Sequence, residues 1–167
     1  MAAVDKSQYE IFLVESNHND PKKRRTVDIS QGVVAFTYFE NIMSPTLTAR
    51  AIVVNTGGGV SDEEGNMVGV YNGLPFRGGE RVIIKIASNS NNNQDLDFSQ
   101  DTTKYFFVSS VSDVMVEAQK EIFTLNLVSR EAITNETVRV GKKFPVSQKI
   151  SDSVEDIIKN YLKSDKI

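Results

Sequence analysis

His18 is the first residue to weigh for chemistry, because it is the chain's one histidine, the residue type used most often as general acid, general base or metal ligand. It sits among Asn17, Asn19 and Asp20, with no second histidine and no cysteine to complete a triad or a metal site. It reads as a solvated loop residue. Gly57, Gly58 and Gly59 come after a strand-like run and invite comparison with a phosphate-cradling loop. No Gly-Lys-Ser/Thr and no GxGxxG spacing comes after them, and Asp62, Glu63 and Glu64 would repel phosphate. The glycines are better read as supplying positive φ. The same acidic residues with Gly65 and Asn66 hint at calcium, but the spacing is not that of an EF-hand and the closing glutamate is missing. Lys22, Lys23, Arg24 and Arg25 could meet DNA or an acidic partner, although a charge block in a net-acidic chain reads first as a solvated loop. No carboxylate pair stands out as general acid and base. The residues therefore assign no catalytic, cofactor or metal site, and the expectation is a protein that is not an enzyme.

The composition agrees. Hydrophobic residues make up 40% and charged residues 25%, the balance of a globular domain with a real core. The net charge of −3, from 22 acidic and 19 basic residues, argues against a broad phosphate-neutralising surface. Without cysteine there is no thiolate nucleophile, disulfide or thiolate-bound metal. No apolar run approaches the roughly 18–20 residues of a membrane helix, and Met1 to Lys6 is too polar to begin a secretory signal. A soluble chain with one domain is expected, since a domain usually holds about 100–200 residues.

Strands must position whatever these residues do. Tyr9 to Val14 is a run of β-formers that ends in polar residues and Pro21. Val33 to Ile42 carries apolar groups at odd and even positions, so as a strand it would bury both faces. After Met43, Ser44 and Pro45, the stretch Thr46 to Asn55 places Leu47, Ala49, Ala51 and Val53 on one face, and the two runs read as a hairpin. Ile52 and Val54 add an apolar second face, a sign of subunit or domain packing. Arg81 to Ala87 alternates cleanly, with Val82, Ile84 and Ile86 together. Ser88 to Thr103 is almost wholly polar and predicts a mobile loop. Tyr105 to Val111 and Ile122 to Val128 complete the strands, with Val114 and Val116 between them extending one or the other, and Ser129 to Thr137 is a polar patch compatible with helix. Val154, Ile157, Ile158, Tyr161 and Leu162 then fit the spacing of an amphipathic helix over about 152–163, with Asp152 and Glu155 as its N-cap pair. The fold class expected is mainly β, an antiparallel barrel flanked by a C-terminal helix, with residues 1–167 as a single domain.

Several blocks carry a resemblance. Tyr38-Phe39-Glu40-Asn41-Ile42-Met43-Ser44-Pro45 before the Thr46 to Asn55 strand, then Gly73-Leu74-Pro75-Phe76-Arg77-Gly78-Gly79-Glu80, resemble the N-terminal part of the baseplate hub proteins of T-even-like contractile-tailed bacteriophages. Phe123 to Ser129, Asn135-Glu136, Arg139-Val140, Phe144 and Ile150 to Val154 are similar to the next segment of proteins in that family. The resemblance implies a tube-type β-barrel in a virion structural protein, made in the host cytoplasm and placed in the tail baseplate, with no cofactor. Its implied partners are the central spike, the tail tube and further copies in a homotrimer, with DNA passing through the lumen unbound and no membrane involved. Family subunits carry two such barrels, so the chain could be the N-terminal fragment of a longer hub protein, and its own oligomeric state stays open. On the resemblance Phe39, Glu40, Asn41, Pro45, Arg77, Gly78, Gly79 and Glu80 are structural or subunit-contact positions. From the residues alone, Pro45, Gly78 and Gly79 make turns, and Arg77 and Glu80 are exposed charges. A type VI secretion spike with a similar hub barrel and a non-catalytic ligand-binding β-domain are the alternatives.

Overall fold

The computed structural model describes residues 8–44, 46–57, 59–61, 65–74, 76–89, 92–118 and 120–164. Period-two alternation sets its strands. β1 (Gln8–Glu15) turns Phe12 and Val14 inward. β2 (Thr26–Asp28) and β3 (Val33–Phe39) come next, and β4 (Thr48–Asn55) buries Ala49, Ala51 and Val53. After the short pair β5 (Val60–Ser61) and β6 (Met67–Val68) and the one-turn helix α1 (Val70–Gly73), β7 (Arg81–Ala87) buries Val82, Ile84 and Ile86 as the alternation requires. β8 (Leu96–Asp97), β9 (Phe106–Glu117) and β10 (Lys120–Ser129) complete the strands, with Phe123, Leu125 and Leu127 of β10 at the centre of the core.

All strand pairs are antiparallel, and the main sheet runs β2-β1-β7-β9-β10-β4-β3 with β8 beside β7. The expected hairpin is present, with Phe39 opposite Thr48. The two ends of this order are chain neighbours, because only the turn through Ser30–Gly32 separates β2 from β3. That turn touches both sides. Ile29 N–H donates to the Phe12 carbonyl at 2.9 Å, and Phe12 N–H donates to Ser30 Oγ at 2.8 Å. A Cβ on Gly32 would stand 2.9 Å from the Val54 carbonyl of β4. The rings of Phe12 and Phe36 meet edge to face at 6.1 Å although β1 and β3 lie far apart in the strand order, so the sheet is strongly coiled. Among the described residues no ladder joins β2 to β3, and no closed barrel is defined.

Ser30 is the hinge of this coil. Its hydroxyl also donates to Asp28 Oδ1, and the residue is buried. Ser30→Ala strips Phe12 N–H of its acceptor and is expected to cost about 1–3 kcal/mol in urea unfolding. A change within about 0.5 kcal/mol, the range of ordinary surface substitutions, would show that the turn does not hold the sheet edges together.

Some expectations need correction. β3 stops at Phe39 rather than Ile42, because Asn41 Oδ1 accepts Met43 N–H at 2.9 Å and turns the chain. Ile42 is 99% exposed, and Val34 and Phe39 are exposed too, so this strand buries one face and presents the other. Within the polar stretch 88–103, of which residues 90 and 91 lie outside the described residues, Leu96–Asp97 form β8, and Phe98 N–H donates to the Ile84 carbonyl while the Phe98 ring stands 5.1 Å from that of Phe106. Two apolar residues suffice to dock this segment. The patch after β10 is helix α2 (Arg130–Thr137), and α3 (Ile150–Asp156) continues into a π-helical turn over Ile157–Tyr161. Its N-cap is Lys149 without a side-chain bond, so Asp152 lies in the first turn rather than capping it. Val154 is exposed, while the other members of the expected apolar stripe, Ile157, Ile158, Tyr161 and Leu162, are half-buried. No helix among the described residues is long and apolar enough to cross a membrane.

Candidate functional site

The block Arg77-Gly78-Gly79-Glu80 leads into β7. Gly78 and Gly79 have φ of 90° and 82°, a left-handed pair that other residues adopt only with strain. This conformation turns two amides toward Glu80, whose carboxylate accepts Arg77 N–H at 2.6 Å and Gly78 N–H at 3.1 Å. Gly79 N–H then donates to the Val108 carbonyl at 2.7 Å, Val108 N–H to the Glu80 carbonyl at 2.9 Å, and Asn17 Nδ2 to the Gly78 carbonyl at 2.9 Å. Glu80 is 1% exposed, which corrects its reading as a surface charge; the Arg77 side chain is exposed as expected. The whole block is a clasp that fixes β7 against β9.

A second buried carboxylate is one that sequence reasoning misses. Glu121 of β10 is 4% exposed and accepts Asn55 Nδ2 at 3.1 Å and Tyr71 N–H at 3.3 Å, closing α1 onto the sheet. Its one signal is a glutamate beside the apolar run Ile122 to Leu127, facing a segment rich in glycine. Glu131 of α2 is buried as well and accepts the Ser164 hydroxyl at 3.2 Å.

The other resemblance block lines a cavity of about 730 Å³, together with Leu47, Phe98, Phe106, Ile158 and Leu162. Glu40 accepts the Tyr38 hydroxyl at 3.0 Å, Asn41 forms the turn already described, and Phe39 lies exposed on the opposite face of β3. Pro45 lies outside the described residues. Burial, then the hydrogen bond to Glu40 and its charge, push the Tyr38 phenol up to about 12. The unfolded chain would ionise this tyrosine near 10 while the folded chain keeps it protonated. Tyr38 therefore contributes stability that is complete below pH 10 and is lost as pH rises through about 12. In alkaline unfolding series Tyr38→Phe is expected to flatten that decline, and an unchanged slope would assign the shift elsewhere.

Of the remaining sequence candidates, His18, Arg24 and Arg25 are held by hydrogen bonds and, for Arg24, an ion pair. Asp20 N–H donates to His18 Nδ1 at 2.9 Å, which makes His18 a local turn residue. Arg24 lies 3.6 Å from Glu15 and donates to the His18 carbonyl, and Arg25 donates to the Ser61 carbonyl at 2.6 Å. Lys22 and Lys23 form an exposed single turn capped by Asp20. Gly57 has φ of 108°, as a loop glycine should, whereas Gly58 and Asp62, Glu63 and Glu64 lie outside the described residues. Among the described residues no group of three or more His, Cys, Asp or Glu side chains could hold a metal ion. What this arrangement can do is hold shape, since both Glu80 and Glu121 accept amide protons that fasten a loop to a strand. Comparison with protein-family models, with curated proteins and with solved structures found no match.

Proposed function

We propose that this chain is an assembly module without chemistry of its own, the tube-type barrel of a contractile-tail baseplate hub that joins the central spike to the tail tube. In this reading the coiled sheet acts as a barrel whose seam is the turn through Ser30–Gly32. One observation carries the proposal. From Ser109 to Glu117, β9 is paired to β10 alone, and no described strand takes its other edge. Met115, Ile122 and Val54 lie directly opposite one another across β9, β10 and β4, on the face away from the buried Phe123 and Val53. Val34 is exposed at the bulge where β3 meets β4. A long strand edge beside an apolar row is a template for another chain, and proteins that stay alone blunt such edges. A ring of neighbouring barrels would cover it. Asp113, at φ 52°, bulges β9 in the middle of that edge, so a partner strand would pair on either side of the bulge rather than along the whole strand.

The role is geometric, so turnover is not required. The test is co-expression of this chain with spike and tube subunits of a contractile tail encoded beside it. Co-elution of the chain with both is expected. Elution apart from both would remove the hub reading and leave the ligand-binding alternative, which the cavity beside Tyr38 favours.

A further inference from the structure

The C-terminal helix forms one wall of a cavity, and its shallow seating on a long linker points to an exchange. The cavity of about 730 Å³ has one wall of Tyr38 and Phe106 from the sheet with Leu47 and Phe98 just outside β4 and β8, and a second wall made by Ile158 and Leu162 of the helical segment. No residue of α3 or of the π-helical turn is buried. Ile150 and Val154, one turn apart, are both exposed, whereas Ile157, Ile158, Tyr161 and Leu162 are half-buried, so the helix is seated by its second half alone. Its deepest anchor is at the far end, where Ser164 is buried against Glu131. The Lys142–Asp156 ion pair at 3.0 Å ties the helix only to its own linker.

That linker is the second observation. Residues 138–149 contain neither helix nor strand and are mostly exposed. Its backbone bonds close on the end of α2 or within itself, from Val138 to the Thr134 carbonyl and from Gln148 to the Pro145 carbonyl. Fully extended it spans ~40 Å, enough to carry the helix past the edge of a small domain. A helix that leaves its seat and enters the same seat on another copy keeps every contact it had, so the exchange is nearly neutral per chain and is decided by concentration.

We propose that residues 150–164 are an exchangeable strap, which closes the Tyr38–Phe106 cavity of its own chain when alone and that of a second copy in the assembly. The occupant is thus the helix of a neighbouring copy, with Ile158 and Leu162 as its anchors. This rests on the assembly reading above and names how one copy grips the next. It also accounts for the polar ends of the seat, because the Ser164–Glu131 bond would re-form between chains.

The chain has no cysteine, which makes the test clean. One copy carries Lys104→Cys at the cavity rim, a tagged copy carries Leu162→Cys on the helix, and the mixture is treated with a short bismaleimide across a concentration series. A double variant, Lys104→Cys with Leu162→Cys, reports seating within one chain, and light scattering tracks mass. A covalent dimer of the two single variants that grows with concentration is expected, while the dilute double variant links within itself. If light scattering shows association but the mixed variants never link, the strap proposal falls and the assembly reading stands. If mass stays that of one chain throughout, the strap proposal falls, and co-elution with the spike and tube subunits decides the assembly reading separately.

Discussion

Glu80→Ala is expected to lower stability by about 2–4 kcal/mol, because hydrogen bonds to a charged acceptor are worth about 1.5–3 kcal/mol each and two amides lose theirs. Those donors are Arg77 N–H and Gly78 N–H, held inward by the left-handed pair Gly78 and Gly79. Water cannot replace the carboxylate easily, since Glu80 is buried and its backbone is bonded to Val108 of β9. At roughly 2–4 °C per kcal/mol for a domain of this size, the thermal midpoint should fall by about 4–16 °C. Glu80→Gln keeps one carbonyl acceptor without the charge and should lose about half as much. A loss under about 0.5 kcal/mol for Glu80→Ala would return this residue to the surface charge that the sequence suggests.

Gly69→Ala tests the other clasp and should cost about 2–4 kcal/mol. Gly69 has φ −61° and ψ 160°, which any residue adopts, so backbone conformation alone does not require glycine there. Space does. A Cβ at Gly69 would lie 1.9 Å from Glu121 Oε1, and relieving that overlap moves a carboxylate bonded to Asn55 and to Tyr71 N–H. The same substitution in a Glu121→Ala background has nothing to displace, so the two changes should be strongly non-additive, with coupling above about 1.5 kcal/mol. Additive losses in a denaturant double-mutant cycle would mean that the Gly69 requirement arises elsewhere.

These two carboxylates mark where local sequence patterns stop being informative. The alternation of Val82, Ile84 and Ile86 and the hairpin of β3 and β4 are local patterns, and both are present. The acceptor role of Glu121 depends on Asn55, 66 residues away, and on a helix of four residues that no periodicity announces. Charge type alone predicts exposure, so Glu80 reads as a surface residue until its amide donors are seen. β8 is not legible because a two-residue strand within a polar stretch leaves no period to detect. Apolar residues on both faces of β3 are legible, but the second face is exposed in the single chain. That exposed face is where the sequence pattern and the proposed assembly meet.

The row of Met115, Ile122 and Val54 therefore gives the most direct test, sedimentation velocity of the full chain beside Met115→Asp over a range of concentrations. Met115 is 55% exposed, so the aspartate should leave the fold and its thermal midpoint nearly unchanged. The expected result is concentration-dependent association of the original chain and monomeric Met115→Asp. A chain that sediments at 18.6 kDa at every concentration, or a Met115→Asp variant that associates as the original does, would contradict assembly through this face.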